Sequence, residues 1–140
     1  IMASLGLVQL RRYPGLLKRR REIIERYNEA FREENVTVLE HYTDTSQSSG
    51  HLYLVRVNGK TREECNEIIE KMAEKGIATN VHYKPLPLLT AYKNLGFDIK
   101  DYPNAYALFE NEITLPLHTK LTDEDVEYVI ETFRKCVSEV

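Results

Sequence analysis

The side chains best suited to chemistry form one short segment that follows a predicted strand. An imidazole, a phenol and an ammonium group stand in succession at His82, Tyr83 and Lys84, and Pro85 restricts the backbone directly after them. A stiff turn at the end of a strand can direct polar groups toward a ligand. Tyr83 and Lys84 suit a phosphorylated or sugar-bearing ligand, and His82 could donate a hydrogen bond to a phosphate or hydroxyl group. The alternative is an edge histidine with satisfied hydrogen bonds beside a solvated lysine.

The other histidines and the two cysteines indicate little further chemistry. His51, just before a predicted central strand, is a second and weaker candidate for ligand contact. No two histidines have the i, i+4 spacing of a helical zinc site and no Cys-x-x-Cys pair is present, so we expect no metal. Cys65 and Cys136 lie in apolar helical patterns and are predicted to be small core residues. Glycine-rich phosphate loops and nucleophile elbows are absent, so no catalytic residue is assigned.

Length, composition and charge predict one soluble globular domain. The chain has 140 residues, of which 42% are hydrophobic and 29% charged, with a net charge of −3. This balance excludes a generally basic nucleic-acid-binding protein and an intrinsically disordered one. No apolar run approaches the roughly 20 residues of a membrane helix. Two cysteines make no disulfide framework, and we expect a cytoplasmic protein.

Helices and strands alternate along the chain. Apolar periodicity, capping residues and breakers predict helices over residues 3–12, 15–34, 61–76, 103–110 and 122–137, with Pro14-Gly15 separating the first two. A capping box at Thr61 and Glu64 begins the third helix, and Gly76 ends it. Strands are predicted over residues 36–39, 52–57, 77–83 and 113–115, with residues 84–102 irregular. In the strand over 52–57, successive side chains point to opposite faces of the sheet, and both sets are largely apolar. This predicts a central strand covered on both faces.

This order predicts an α+β fold, a small and mainly antiparallel sheet of three to four strands with helices packed on one side. Residues 1–34 carry a charge of +3 and the remainder −6. The chain opens without a helix cap, as if in the middle of a helix. We therefore expect residues 1–34 to be a helical segment continuing from an absent larger domain, and residues 35–140 to be a small C-terminal α+β domain.

Five stretches, in order, resemble the C-terminal domain of the DegT/DnrJ/EryC1/StrS family of sugar aminotransferases. The similar stretches are Ala-Ser-Leu-Gly-Leu-Val-Gln-Leu at 3–10, Arg-Arg-Arg-Glu-Ile at 19–23 with Tyr27, His-Leu-Tyr at 51–53, Gly-Ile-Ala-Thr at 76–79 with His-Tyr-Lys-Pro-Leu at 82–86, and Leu-Pro-Leu at 115–117 with Leu-Thr-Asp-Glu-Asp-Val at 121–126. Each motif alone is weak. Together they cover nearly the whole chain, and their order is more specific than any one of them.

The resemblance implies the type I aminotransferase fold and pyridoxal phosphate (PLP) as cofactor of the full-length enzyme. Such enzymes need a lysine for the Schiff base and an acidic partner for the pyridinium nitrogen. In this family both come from the large N-terminal domain. The nine lysines here do not restore that site, and Lys120 is predicted to be a surface turn residue. The resemblance thus predicts a domain fragment without cofactor, inactive by itself.

For the whole enzyme, the resemblance implies transfer of an amino group, usually from glutamate, to a nucleotide-linked 4-keto or 3-keto sugar, as in cell-wall or polysaccharide biosynthesis. His82, Tyr83 and Lys84 would line the wall that closes over this substrate, Pro85 would set their direction, and His51 would be a weaker contact. Many members have a histidine where this chain has Pro87 and a proline at the position of Lys84. Lys84 could instead meet the nucleotide diphosphate.

The resemblance also implies a homodimer when full length, with neither a nucleic-acid nor a membrane partner. Exposed apolar surface on the opening helix predicts association of the chain through residues 1–31. Two other functions stay open. One is a stand-alone small-molecule-binding or regulatory α+β domain, and the other is a domain used only for subunit contacts.

Overall fold

A computed structural model describes residues 2–140. A three-stranded sheet and the helices that cover it form the architecture. The elements in chain order are α1 (Met2–Ala30), β1 (Val36–Val38), β2 (Tyr53–Val57), α2 (Arg62–Glu74), α3 (Thr90–Lys93), α4 (Pro103–Phe109), β3 (Glu112–Leu115) and α5 (Asp123–Ser138), with 3₁₀ turns at Leu86–Leu88 and Ile99–Asp101. Among these described residues, no helix is long and apolar enough to cross a membrane.

The sheet has the order β1-β2-β3, and both pairings are antiparallel. Val36 pairs with Val57 on one side of β2, and Tyr53 pairs with Leu115 on the other. The predicted α+β class with a small antiparallel sheet is therefore confirmed, and the strand around residues 52–57 is central as expected.

The hydrophobic core lies on one face of the sheet. Tyr53, Val55 and Val57 of β2 are buried there, whereas Leu54 and Arg56 on the other face are only half-buried. The second face of β2 is therefore covered only in part, where Arg56 donates to the Asn111 side chain and to the Ala107 backbone of α4. Three helices complete the core with the residues Ile23, Ile24, Tyr27, Phe31, Cys65, Ile68, Met72, Val126, Val129, Ile130, Phe133 and Cys136.

Helix α1 runs without interruption through Pro14, so the predicted break at Pro14-Gly15 is wrong. Proline fixes φ near a helical value, and its cost is a lost hydrogen bond to the carbonyl four residues earlier. That carbonyl belongs to Leu10, which is 66% exposed, so water can satisfy it. The second half of α1 packs into the core, and the division of the chain at residue 34 stays a prediction.

Local signals place the ends of α2 and α5. The Thr61 side chain accepts from the backbone N–H of Glu64, and the Glu64 side chain accepts from the Thr61 N–H, which is the predicted capping box. Thr122 and Asp125 make the same reciprocal pair at α5. Gly76 follows α2 with a φ of +78°, a left-handed conformation that glycine adopts without steric cost.

The predicted strand over residues 77–83 is wrong: only Asn80 bridges β3, at Thr114. Backbone pairing with β3 stops after Asn80 because the next two backbone N–H groups donate to side chains. The Val81 N–H donates to the Asn80 side chain at 2.8 Å, and the His82 N–H donates to the Glu112 carboxylate at 3.0 Å. The segment 84–102, predicted to be irregular, contains α3 and both 3₁₀ turns. Pro87 fits the first turn of the 3₁₀ turn Leu86–Leu88.

Candidate functional site

The second face of the sheet carries a buried polar cluster. Glu112 pairs with Arg56 and Thr114 pairs with Leu54, so these four side chains share the face opposite the hydrophobic core. Glu112 is 4% exposed and Thr114 5% exposed. Buried polar groups need hydrogen-bond partners, and here the segment that follows Asn80 supplies them.

His82 is attached to β3 at two points. Its backbone N–H donates to Glu112 Oε2 at 3.0 Å, and its ring Nδ1 lies 2.9 Å from Thr114 Oγ1. The Thr114 hydroxyl in turn donates to Glu112 Oε1 at 2.5 Å. These contacts link an imidazole, a hydroxyl and a carboxylate in one chain, and they determine the direction of the imidazole ring.

The electrostatic environment of Glu112 has opposing contributions. Burial raises the pKa of the Glu112 carboxyl, whereas the hydrogen bonds from Thr114 and from the His82 N–H lower it, as does the charge of Arg62. Arg62 is itself buried, and its Nη1 donates to the backbone oxygens of Glu112 at 2.8 Å and Phe109 at 3.0 Å. Its guanidinium also lies 5.3 Å from the centre of the Phe109 ring. The cation therefore holds the backbone of β3 in place beneath the cluster.

Tyr83 and Lys84 extend from this anchored histidine into solvent. Tyr83 is 71% exposed, and its ring meets the His82 ring edge-on at 4.6 Å between centroids. The peptide bond between His82 and Tyr83 is cis. Lys84 is exposed, and Pro85 is half-buried at the start of the 3₁₀ turn Leu86–Leu88. Four of the five predicted site residues thus form one continuous surface segment, which is held to β3 at His82.

His51, the fifth candidate, is exposed and precedes β2, whose first residue Tyr53 pairs with Leu115. The His82 ring lies on the neighbouring residue of β3, Thr114. Among the described residues, no hydrogen bond or ring contact joins the two histidines, and the role of His51 stays a prediction.

The sequence prediction missed Glu112, Thr114 and Arg62. The available signal was the alternation of polar and apolar residues through β3, which places Glu112 and Thr114 on one face and Ile113 and Leu115 on the other. A polar set on a strand usually faces water, so alternation alone does not indicate burial. Only the return of the segment containing His82 covers it.

The two cysteines are core residues in the structure, as the sequence predicts. Cys65 and Cys136 are free and buried, which confirms them as core residues, and burial raises the pKa of Cys65 to about 11. A neutral, inaccessible thiol is a poor nucleophile. Within residues 2–140, no three histidine, cysteine or carboxylate side chains lie close enough to hold a metal ion.

Comparison with known proteins identifies the family. The model of the DegT/DnrJ/EryC1/StrS aminotransferase family matches residues 1–134. The chain belongs to this family, which confirms the resemblance noted in the sequence. The family's members are PLP-dependent, and the α+β fold agrees with those of its solved members.

Individual relatives give the extent of the similarity. The spore coat polysaccharide biosynthesis protein SpsC of Bacillus subtilis is 34% identical over 142 residues, covering 98% of this chain and 36% of SpsC. The UDP-4-amino-4,6-dideoxy-N-acetyl-beta-L-altrosamine transaminase of Helicobacter pylori is 30% identical over 96% of this chain and 36% of the transaminase. The chain therefore spans about a third of the length of these relatives.

A solved structure is more similar still. Spr1654 of Streptococcus pneumoniae, a candidate sugar aminotransferase, has been solved in its PLP form, is 62% identical, and superposes with a TM-score of 0.95. The match covers 99% of this chain and 35% of that chain. Together these findings show that the chain is part of a sugar aminotransferase family and has its fold.

The lysines among the described residues do not suit PLP. A PLP site needs a lysine in an enclosed cleft with an acidic group for the ring nitrogen. Lys120 is exposed in the turn before α5, and Lys84 is exposed beside Tyr83. Lys60 and Lys71, which are half-buried, each pair with a glutamate on α2. These lysines therefore do not fit the group.

Proposed function

We propose that this chain is the C-terminal part of a PLP-dependent aminotransferase that transfers an amino group from a donor such as glutamate to a nucleotide-linked keto sugar. PLP, when bound to the full-length enzyme, carries the amino group between the two substrates. The full-length enzyme is proposed to be a cytoplasmic homodimer. The chain alone is proposed to hold no cofactor and to be inactive.

One combination carries the proposal: family membership over residues 1–134, and an exposed polar segment whose inner end is anchored. His82 is tied to Glu112 and Thr114, so the neighbouring Tyr83 and Lys84 project from a fixed point. The anchored His82 side chain loses little conformational entropy on binding a ligand. This favours a substrate-contacting role for His82, and its neighbours Tyr83, Lys84 and Pro85 share that surface.

The chemistry of these residues suits the two parts of a nucleotide sugar. The Tyr83 ring offers an apolar face and a hydroxyl, as sugar-binding surfaces do. The Lys84 ammonium is a mobile point charge suited to a diphosphate. His51, which is exposed and precedes β2, would be a second and weaker substrate contact.

The experiment is alanine substitution in the full-length protein. We expect His82→Ala, Tyr83→Ala and Lys84→Ala each to raise KM for the nucleotide sugar about tenfold, which corresponds to one lost hydrogen bond or charge contact. KM for the amino donor should change less than twofold. The control is Lys135→Ala, an equally exposed lysine on α5. Unchanged KM in all three variants would show a domain used only for subunit contacts.

Two measurements on the 140-residue chain separate the proposal from a stand-alone binding domain. Calorimetry with nucleotide sugars and amino acids should give no tight binding, since only one wall of the site is present. When PLP is added, the absorbance should show no stoichiometric covalent adduct with a lysine. Tight specific binding of a nucleotide sugar, or one modified lysine per chain, would contradict the proposed role.

A further inference from the structure

The hydrogen-bonded series His82–Thr114–Glu112 has a single consistent arrangement of protons when the Glu112 carboxylate is ionised. A carboxylate only accepts hydrogen bonds, and Glu112 accepts one from the His82 N–H and one from the Thr114 hydroxyl. The Thr114 hydroxyl has one proton, and the 2.5 Å contact uses it. Toward the imidazole at 2.9 Å, the Thr114 oxygen can therefore only accept.

The imidazole must then carry its proton on Nδ1. A neutral imidazole has one protonated nitrogen and one with a free lone pair, and the hydrogen bond at one nitrogen selects the state of the other. On His82 the free lone pair is then on Nε2. Across the described residues, Nε2 has no hydrogen-bond partner, although it is not among the fully buried orphan atoms. It is available to a ligand.

We infer that Glu112 and Thr114 are positioning residues that hold His82 in its Nδ1–H tautomer, so that Nε2 accepts a hydrogen bond from a hydroxyl group of the ligand. The ligand part of this inference rests on the proposed function. The tautomer part concerns the chain alone. It also changes the expectation from sequence, in which His82 donates: with its proton on Nδ1, a neutral His82 selects a hydroxyl donor and disfavours a phosphate oxygen.

The sharpest test is Glu112→Gln, which replaces one carboxylate oxygen with an NH₂ group. The backbone N–H of His82 still needs an acceptor, so the amide oxygen turns toward it and the NH₂ group turns toward Thr114. Thr114 then accepts from Gln and donates to His82 Nδ1, which moves the imidazole proton to Nε2. One substitution should thus invert the tautomer of a histidine 30 residues away.

The measurement is two-dimensional ¹H–¹⁵N NMR of the chain labelled in histidine, at a pH where His82 is neutral. We expect a pyrrole-type Nδ1 and a pyridine-type Nε2 in the wild type, and the reverse in Glu112→Gln. Glu110→Gln, the same change two residues earlier, is the control and should leave the spectrum of His82 unchanged. A wild-type His82 protonated on Nε2 would overturn the inference.

Two variants of Thr114 keep the test decisive if Glu112→Gln does not fold. Thr114→Ser retains the hydroxyl and should retain the Nδ1–H form. Thr114→Val removes the hydroxyl at similar volume, and His82 should revert to Nε2–H, the form that imidazole favours in water. A Thr114→Val spectrum identical to that of the wild type would show that the hydrogen bonds through Thr114 do not determine the tautomer of His82.

Kinetics of the full-length enzyme separate the two parts of the inference. His82→Ala should raise KM for the nucleotide sugar about tenfold, with kcat changed less than twofold, because binding loses one hydrogen bond. If the tautomer inverts in Glu112→Gln as expected but His82→Ala leaves KM unchanged, the positioning role stands. The proposed contact between His82 and the substrate is then wrong.

Discussion

His41 is a buried histidine on the core face of the molecule. It is 3% exposed, its ring stacks on that of Tyr53 at 5.8 Å, and its Nδ1 lies 3.0 Å from Ser48 Oγ. Its Nε2 is buried without a partner among the described residues. Protonation would place an uncompensated charge there, and burial accordingly lowers the pKa of His41 below its ordinary value of 6.5.

This pKa shift predicts loss of stability in acid. The unfolded chain takes up a proton near pH 6.5, before the folded chain does, so the contribution of His41 to stability is complete above that pH. It is lost as the pH falls through the lower pKa of the folded state. We expect the urea midpoint to fall less between pH 7.5 and pH 5 in His41→Phe than in the wild type. Equal pH dependence would contradict this, and His51→Gln, an exposed histidine, is the control.

Gly50 occupies a position at which the structure requires glycine. Its φ is +63°, and a Cβ atom there would lie 3.0 Å from Ile24 Cδ1 and 3.2 Å from Arg20 Cβ. We expect Gly50→Ala to lower the free energy of unfolding by about 2–4 kcal/mol, from the left-handed backbone and the forced shift of a core side chain. Thermal or urea denaturation measures it.

Gly59 provides the matched control for Gly50. It has a φ of +81°, but nothing lies within 4 Å of a Cβ atom at that position. Gly59→Ala should therefore cost only the backbone strain, about 1 kcal/mol. Equal losses in the two alanine variants would show that the contact with Ile24 is unimportant.

At the scale of elements, α1 combines two environments in one helix. Its second half contributes Ile23, Ile24 and Tyr27 to the core, whereas its first half, through Gly15, is exposed. Packing stabilises only the second half, and a helix without tertiary contacts depends on intrinsic propensity. The two halves should therefore respond differently to substitution.

Pro14→Ala tests this difference. Alanine restores the hydrogen bond to the Leu10 carbonyl and removes a residue that costs about 3 kcal/mol within a helix. Because the first half of α1 does not pack on the core, we expect a stronger helical circular dichroism signal with an unfolding midpoint changed by less than 2 °C. Ala3→Ser, a change in the same exposed half that leaves Pro14 in place, is the control and should not strengthen the signal. A large rise in the midpoint for Pro14→Ala would show that the first half of α1 unfolds together with the core.

At the scale of the whole molecule, exposed apolar side chains on the first half of α1 favour association. Leu5, Leu7, Val8 and Leu10 are each at least 50% exposed. The sequence predicted association through residues 1–31, but Ile23, Ile24, Tyr27 and Phe31 are buried in the core. The associating surface is therefore expected on the first half alone.

Light scattering measures this association. We expect Leu10→Glu to lower the weight-average mass of the chain at a given concentration, because a charge replaces apolar contact surface. Gln9→Glu adds the same charge to the same helix without removing apolar surface, and it should leave the mass nearly unchanged. Equal effects of the two substitutions would indicate charge repulsion as the cause.

The sequence was informative wherever a signal is local. Thr61 and Glu64 are three residues apart and define the start of α2, and the apolar stripes of α2 and α5 identify their buried faces. The strand around Val55 is recognisable from its own residues. The break at Pro14 was a wrong prediction of the same kind, since a local breaker signal did not end the helix.

By itself, the sequence determined the α+β class and the helix caps, because short-range backbone and side-chain preferences specify these, and it predicted the candidate segment from His82 to Pro85. Only the tertiary structure decided that His82 rests on Glu112 and Thr114. Those contacts join residues 30 and 32 positions apart. The segment that contains His82 meets the edge of the sheet through one isolated bridge, at Asn80, and not through a regular strand. The burial of those contacts depends on how the chain returns, and no local pattern encodes that.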